Sequence, residues 1–185
     1  MRLFIAVISV VVAEAFSVAA NIAPGALPVV KICIQNGGGN GWVVRQAEDI
    51  AAKMFNKIGV KIDWPLQHRC PPPSPQSILI QLSMGALDHP DALGYAQLGE
   101  NRIEVFYDRV ISMAEPLIAP SLLGHVLAHE LTHLLENVSR HSDRGLMKAH
   151  WTSNDYHQMF PEAMSFDPED VELIRAGLAR RAALQ

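Results

Sequence analysis

Two histidines four residues apart with a glutamate beside the first, His129-Glu130-Leu131-Thr132-His133, are the residues of this chain best suited to chemistry. On an α-helix that spacing sets both imidazoles on one face, roughly 6 Å apart, so they can grip one metal ion while Glu130 projects beside it. A zinc ion that catalyses takes three protein ligands and leaves one position for water. His141 lies eight residues beyond His133, past the expected helix end, where a bend could return it as the third imidazole. The expected cofactor is therefore Zn2+ on His129, His133 and His141. Glu130 is the expected general base, taking a proton from the zinc-bound water as it attacks a carbonyl and passing it to the leaving amine. His150, Tyr156 and His157 follow downstream as candidate donors to the developing oxyanion or as rim residues.

These groups need a helix to carry them and a sheet to support it. From Ser121 to about Glu136, Leu122, Leu123, Val126, Leu127, Leu131, Leu134 and Leu135 define a broad apolar face, with Pro120 and Ser121 as start signals. Asn137 can take the left-handed conformation that ends a helix. His125 extends the histidine series on that face; its expected place is behind the ligands or on the rim, because a third ligand from one straight helix would sit too far along the axis. Strands are expected at 29–34, 60–64, 77–82 and 102–107, with a short edge strand near 93–96. A covering helix is expected over 42–58, and a last helix over 168–178 with Asp167 as N-cap and Pro168 at its first position. The run Gly37-Gly38-Gly39-Asn40-Gly41 lacks the Gly-Lys-Ser/Thr of a phosphate loop and reads as a turn.

The chain has 185 residues, 49% of them hydrophobic, enough for one compact core. Its 15 Lys+Arg against 19 Asp+Glu, with no basic stripe, argue against nucleic acid as a partner. Met1-Arg2, an apolar stretch over 3–13 and the small residues Val18-Ala19-Ala20 read as an export signal cleaved after Ala20 or Ala19, with an uncleaved anchor as the alternative. Residues 1–20 are thus a signal peptide and 21–185 one catalytic domain, with a C-terminal subdomain from about 138. The expected location is secreted or periplasmic, with no membrane association after cleavage. Export favours a disulfide between Cys33 and Cys70. His68 and His89 read as surface loop residues.

With His129 to His133, then His141-Ser142 and Leu146-Met147, the chain resembles the metzincin zinc endopeptidases, specifically the matrixin arrangement. It also resembles small exported bacterial proteins with this spacing. The resemblance implies a zincin-like α+β fold: a mixed twisted sheet of about four to five strands with a covering helix, an active-site helix and a C-terminal helix. It implies Met147 as the Met-turn residue beneath the ligands, and a protein or peptide substrate bound by a monomer as an added strand. Two positions depart from the pattern. The matrixin sequence has Gly three and His six residues after the second histidine, where this chain has Glu136 and Ser139, so the connection to His141 is two residues longer. Glu162 would instead make a gluzincin-type site. Arg69-Cys70-Pro71 faintly resembles a matrixin cysteine switch, against which stands the Cys33 disulfide. The rival functions are a zincin module that holds metal without turnover and a zinc amidase acting on the cell envelope.

Overall fold

A computed structural model describes residues 28–184 apart from 66–69, 75, 87–88 and 161. The expected export signal, His68 and Arg69 lie outside the described residues. After Pro28 the β-branched run forms β1 (Val29–Asn36). Asn40 then starts α1 (Gly41–Lys57) by accepting from the N–H groups of Trp42 and Val43. Val43, Val44, Ala47, Ala51, Met54 and Phe55 recur at helical spacing and bury one face of α1. Gly59, with φ of 79°, turns the chain into β2 (Lys61–Asp63), parallel to β1.

The Pro-rich connector leads to β3 (Ser77–Ser83), parallel to β1 on its other side. The short β4 (Gly94–Gln97) and then β5 (Arg102–Phe106) follow, with β5 parallel to β3 and antiparallel to β4. The five-stranded mixed sheet has the order β2-β1-β3-β5-β4, which leaves β4 at one edge. Ile32, Ile80, Leu82, Ile103 and Val105, alternating along their strands, are almost wholly buried and form the sheet face packed on the core. The hydrophobic cluster runs without a break from Val30 on β1 to Ile174 near the C-terminus.

The strand expected to reach 107 stops at Phe106, because Tyr107 opens a helix, α2 (Tyr107–Ser112). At six residues α2 is too short to display a helical period of apolar side chains, which is why the sequence shows no helix there. The next helix, α3 (Ala119–Glu136), buries every one of its residues. Later come α4 (Ser153–Gln158) and α5 (Pro168–Ala182), the second four residues longer than its apolar spacing implies. The extra turn carries Arg180 and Arg181, whose guanidiniums donate to the carbonyls of Glu136 (2.8 Å) and Leu134 (3.5 Å) at the end of α3. Gly177 permits that crossing: a Cβ there would stand 1.6 Å from the Leu135 carbonyl oxygen.

Where α5 meets α3, a buried cluster of charge forms. Arg140 faces Asp170 at 2.6 Å and Glu136 at 3.8 Å, and neither carboxylate oxygen of Glu136 has a hydrogen-bond partner among the described residues. Burial, and next the Asp170 carboxylate, push the Glu136 carboxyl from 4.5 up to about 7 against the pull of Arg140. No helix among the described residues is long and apolar enough to cross a membrane. Cys33 on β1 is bonded to Cys70 with Cα atoms 5.5 Å apart, which pins the β2–β3 connector to the sheet and leaves Cys70 no free thiolate for a switch.

Two outcomes follow. Closing a loop across 37 residues should stabilise the fold by about 3–4 kcal/mol, so adding reductant should lower the urea midpoint by a matching amount; an unchanged midpoint contradicts the bridge. Since Glu136 binds its proton more tightly folded than unfolded, its contribution is fully present below pH 4.5 and lost as pH rises through about 7. Melting temperatures across that window should therefore fall less steeply for Glu136→Gln than for the parent chain.

Candidate metal centre

Four residues apart on α3, His129 and His133 point their rings the same way, with Nε2 atoms 3.1 Å apart. The other nitrogen of each is committed. Nδ1 of His129 donates to the Leu146 carbonyl at 3.0 Å, and Nδ1 of His133 donates to the Val138 carbonyl at 3.1 Å. A carbonyl can only accept, so in both rings the proton sits on Nδ1 and the Nε2 lone pair faces the shared space. Burial is the first cause holding His129 down to about 3 and His133 down to about 4, so neither ring carries an extra proton at neutral pH.

The chain after α3 closes the site. Asn137, at φ of 58°, ends the helix in the left-handed conformation, and residues 138–147 double back across it. That return brings His141 to the pair: one ligand atom from each of His129, His133 and His141 lies within 4.8 Å of the others. The ring centroids of His141 stand 5.4 Å from His129 and 4.9 Å from His133. Glu136, at the glycine position of the matrixin pattern, remains helical and buried, so the reversal falls one residue later, on Asn137. The loop is pinned where Ser142 N–H donates to the Met147 carbonyl at 2.8 Å. Met147 and Leu146 are buried in the core beside it.

The donor set fits zinc. Nitrogens bound at 2.0–2.1 Å around a tetrahedral ion stand about 3.3 Å apart, close to the spacing of the His129 and His133 lone pairs. Two neutral imidazoles with carbonyl partners on the far nitrogen, and a third imidazole beside them, suit a zinc ion with one open position.

Glu130 lies between α3 and the edge strand. It is buried, and desolvation pushes its carboxyl up to about 8 even though the Ala96 backbone N–H bonds it and pulls the other way. A cation on the imidazoles would draw it back down. Gly94 is what admits it, since a Cβ there would meet Glu130 Cγ at 2.8 Å. Together these groups open into a cleft of about 560 Å³, bordered by Tyr95 and Leu98 near the edge strand, Met113 after α2, and His150, Trp151 and Tyr156 beyond the loop.

His150 and Tyr156 line the cleft; His157 is exposed on α4 and does not. Glu162 is exposed and outside the histidine group. Of the two places expected for His125, it takes the one behind the ligands and not the rim: with no exposure, it donates from Nδ1 to the Ser121 carbonyl at 2.7 Å and accepts the Met164 N–H at 3.0 Å, tying α3 to the approach to α5. His89 is exposed, as expected, and stacks on Tyr95 with centroids 4.4 Å apart. Sequence reasoning missed Trp151 and Gly94. Trp151 Nε1 donates to the Leu146 carbonyl at 3.2 Å, the same oxygen that orients His129, and its ring meets His129 edge-on at 5.5 Å. An aromatic residue four positions after Met147 is the one signal that could have drawn attention to it.

No family model and no curated protein sequence matches the chain. Among solved structures it is similar to archaemetzincin from Methanopyrus kandleri, with a TM-score of 0.57 and 16% identity, over 85% of this chain and 98% of that one. At that identity the likeness is one of fold, and the α+β architecture is zincin-like. If Gly94 is the space Glu130 requires, Gly94→Ala should cost about 1–3 kcal/mol in urea denaturation. Adding Glu130→Ala should return that loss, and a penalty that persists in the double variant would contradict the contact.

Proposed function

We propose that this chain is an exported zinc-dependent endopeptidase that cleaves peptide bonds in protein or peptide substrates, acting as a monomer. The observation that carries the reading is the pair of Nε2 lone pairs 3.1 Å apart on α3, joined by His141 and flanked by the Glu130 carboxylate, at the floor of an open cleft. Bound zinc supplies a Lewis acid and an acidified water at that floor. His129, His133 and His141 hold the ion, the first two with orientation fixed by the Leu146 and Val138 carbonyls.

Glu130 does the proton work. Its carboxylate takes a proton from the attacking water and returns it to the nitrogen that leaves, a role that requires the group to stay within reach of both. The Ala96 N–H and the bare Gly94 backbone keep the side chain in that place. β4 pairs with β5 on one side and ends the sheet on the other, so an extended substrate can add to its free edge and run past the histidines. Tyr95, Leu98 and Met113 give the cleft an apolar border for side chains. His150 and Tyr156 are the groups on its far wall that can donate to a developing oxyanion. Met147 serves as the apolar floor beneath the ligands.

The test pairs metal analysis with proteolysis. The purified chain should carry one zinc and cleave an unfolded protein, and Glu130→Ala should keep the zinc while losing at least about 100-fold in turnover. Zinc without cleavage would favour a module that holds metal without hydrolysing. Cleavage confined to cell-envelope amides would favour the amidase. Turnover that survives Glu130→Ala would overturn the mechanism.

A further inference from the structure

His129 and His133 are held by a buried helix and two carbonyls, but His141 is the exposed member of the group, on a stretch with no regular secondary structure. Besides the Ser142 to Met147 bond, what ties that stretch down is its neighbour. Arg140 donates from Nη2 to Asp170 Oδ1 at 2.6 Å, and stands 3.8 Å from Glu136 and 3.7 Å from Glu169. Asp170 is fully buried, and its second oxygen accepts the Asp167 N–H at 3.1 Å to complete the capping box of α5. Asp167, the N-cap itself, accepts from Arg144 Nε at 2.7 Å. Two arginines, one on each side of His141 in the chain, are therefore docked on the first turn of α5.

Arg140 also reaches Glu136 on the last turn of α3, the helix that carries the other two histidines. One planar guanidinium thus spans from the helix that fixes the first pair to the helix that fixes the return of the chain. Resting on the zinc reading, we propose that Arg140 is a positioning residue for the metal centre: by docking on Asp170 and Glu136 it sets where His141 stands relative to His129 and His133. A ring that visits the competent position for part of the time lowers metal affinity by that fraction. Removing the partners that hold a ligand in place commonly weakens binding about 10–100-fold.

The test measures zinc affinity of the purified full chain by competition with a chromophoric chelator, for the parent, Arg140→Met, Arg140→Lys and His141→Ala, and for each Arg140 change combined with His141→Ala. Arg140→Met should weaken zinc by about 10–100-fold, and Arg140→Lys by less, since an ammonium keeps the charge without the planar fork. In the His141→Ala background neither change should weaken zinc further. Circular dichroism and melting temperature establish that each variant is folded; if Arg140→Met is not, Arg140→Lys carries the comparison. Unchanged affinity, or an equal loss in both backgrounds, would overturn the positioning role while leaving the metal site intact. A parent chain that takes up no zinc would overturn the metal reading and this proposal with it.

Discussion

Two imidazole lone pairs that face each other at 3.1 Å repel unless a proton or a cation is shared between them, and that constraint organises this molecule. The carbonyls of Leu146 and Val138 dictate the tautomer of each imidazole, so neither ring can relieve the repulsion by lending the other a proton. Both carbonyls come from the segment after α3. The site is therefore incomplete until the chain has reversed at Asn137 and crossed back over the helix, the same reversal that delivers His141. Assembly of the three histidines and tertiary structure are in this sense one event, and α5, which docks the returning segment, belongs to the site although it lends no histidine.

Glu130 faces the opposite problem. A carboxylate is costly to bury, and it is accepted here because β4 offers an N–H and a strip of bare backbone at Gly94. The sheet topology makes that offer available. Four parallel strands pack one face against the helices, and the one antiparallel strand sits at the edge beside α3 and borders the cleft. The element that steadies the proposed base is thus also the edge of the sheet.

Much of this was legible in the sequence, and the reason is periodicity. The four-residue spacing of His129 and His133, the leucine face of α3, the β-branched strands and the capping of α5 are all local patterns, and each has its element within a few residues of where the pattern ends. Asn137 was readable because few residues other than glycine accept a left-handed conformation. α2 and α4, at six residues each, are too short for a period to emerge, although the Thr152 to Asp155 capping box marks the start of the second. For His125 the helix position left two places open, behind the ligands or on the rim, because it says nothing of the Met164 N–H that arrives from another segment to meet it. The packing of Trp151 on His129, of Gly94 on Glu130 and of Arg140 on Asp170 joins residues distant in sequence, which a single chain of letters does not carry.

X-ray absorption at the zinc edge of the metal-loaded chain tests the central claim most directly, because it counts and types the ligands without requiring turnover. The account predicts three imidazoles at about 2.0–2.1 Å and one further oxygen ligand, with one imidazole lost in His141→Ala. A spectrum with two imidazoles and carboxylate ligands, or one that does not change without His141, would contradict it.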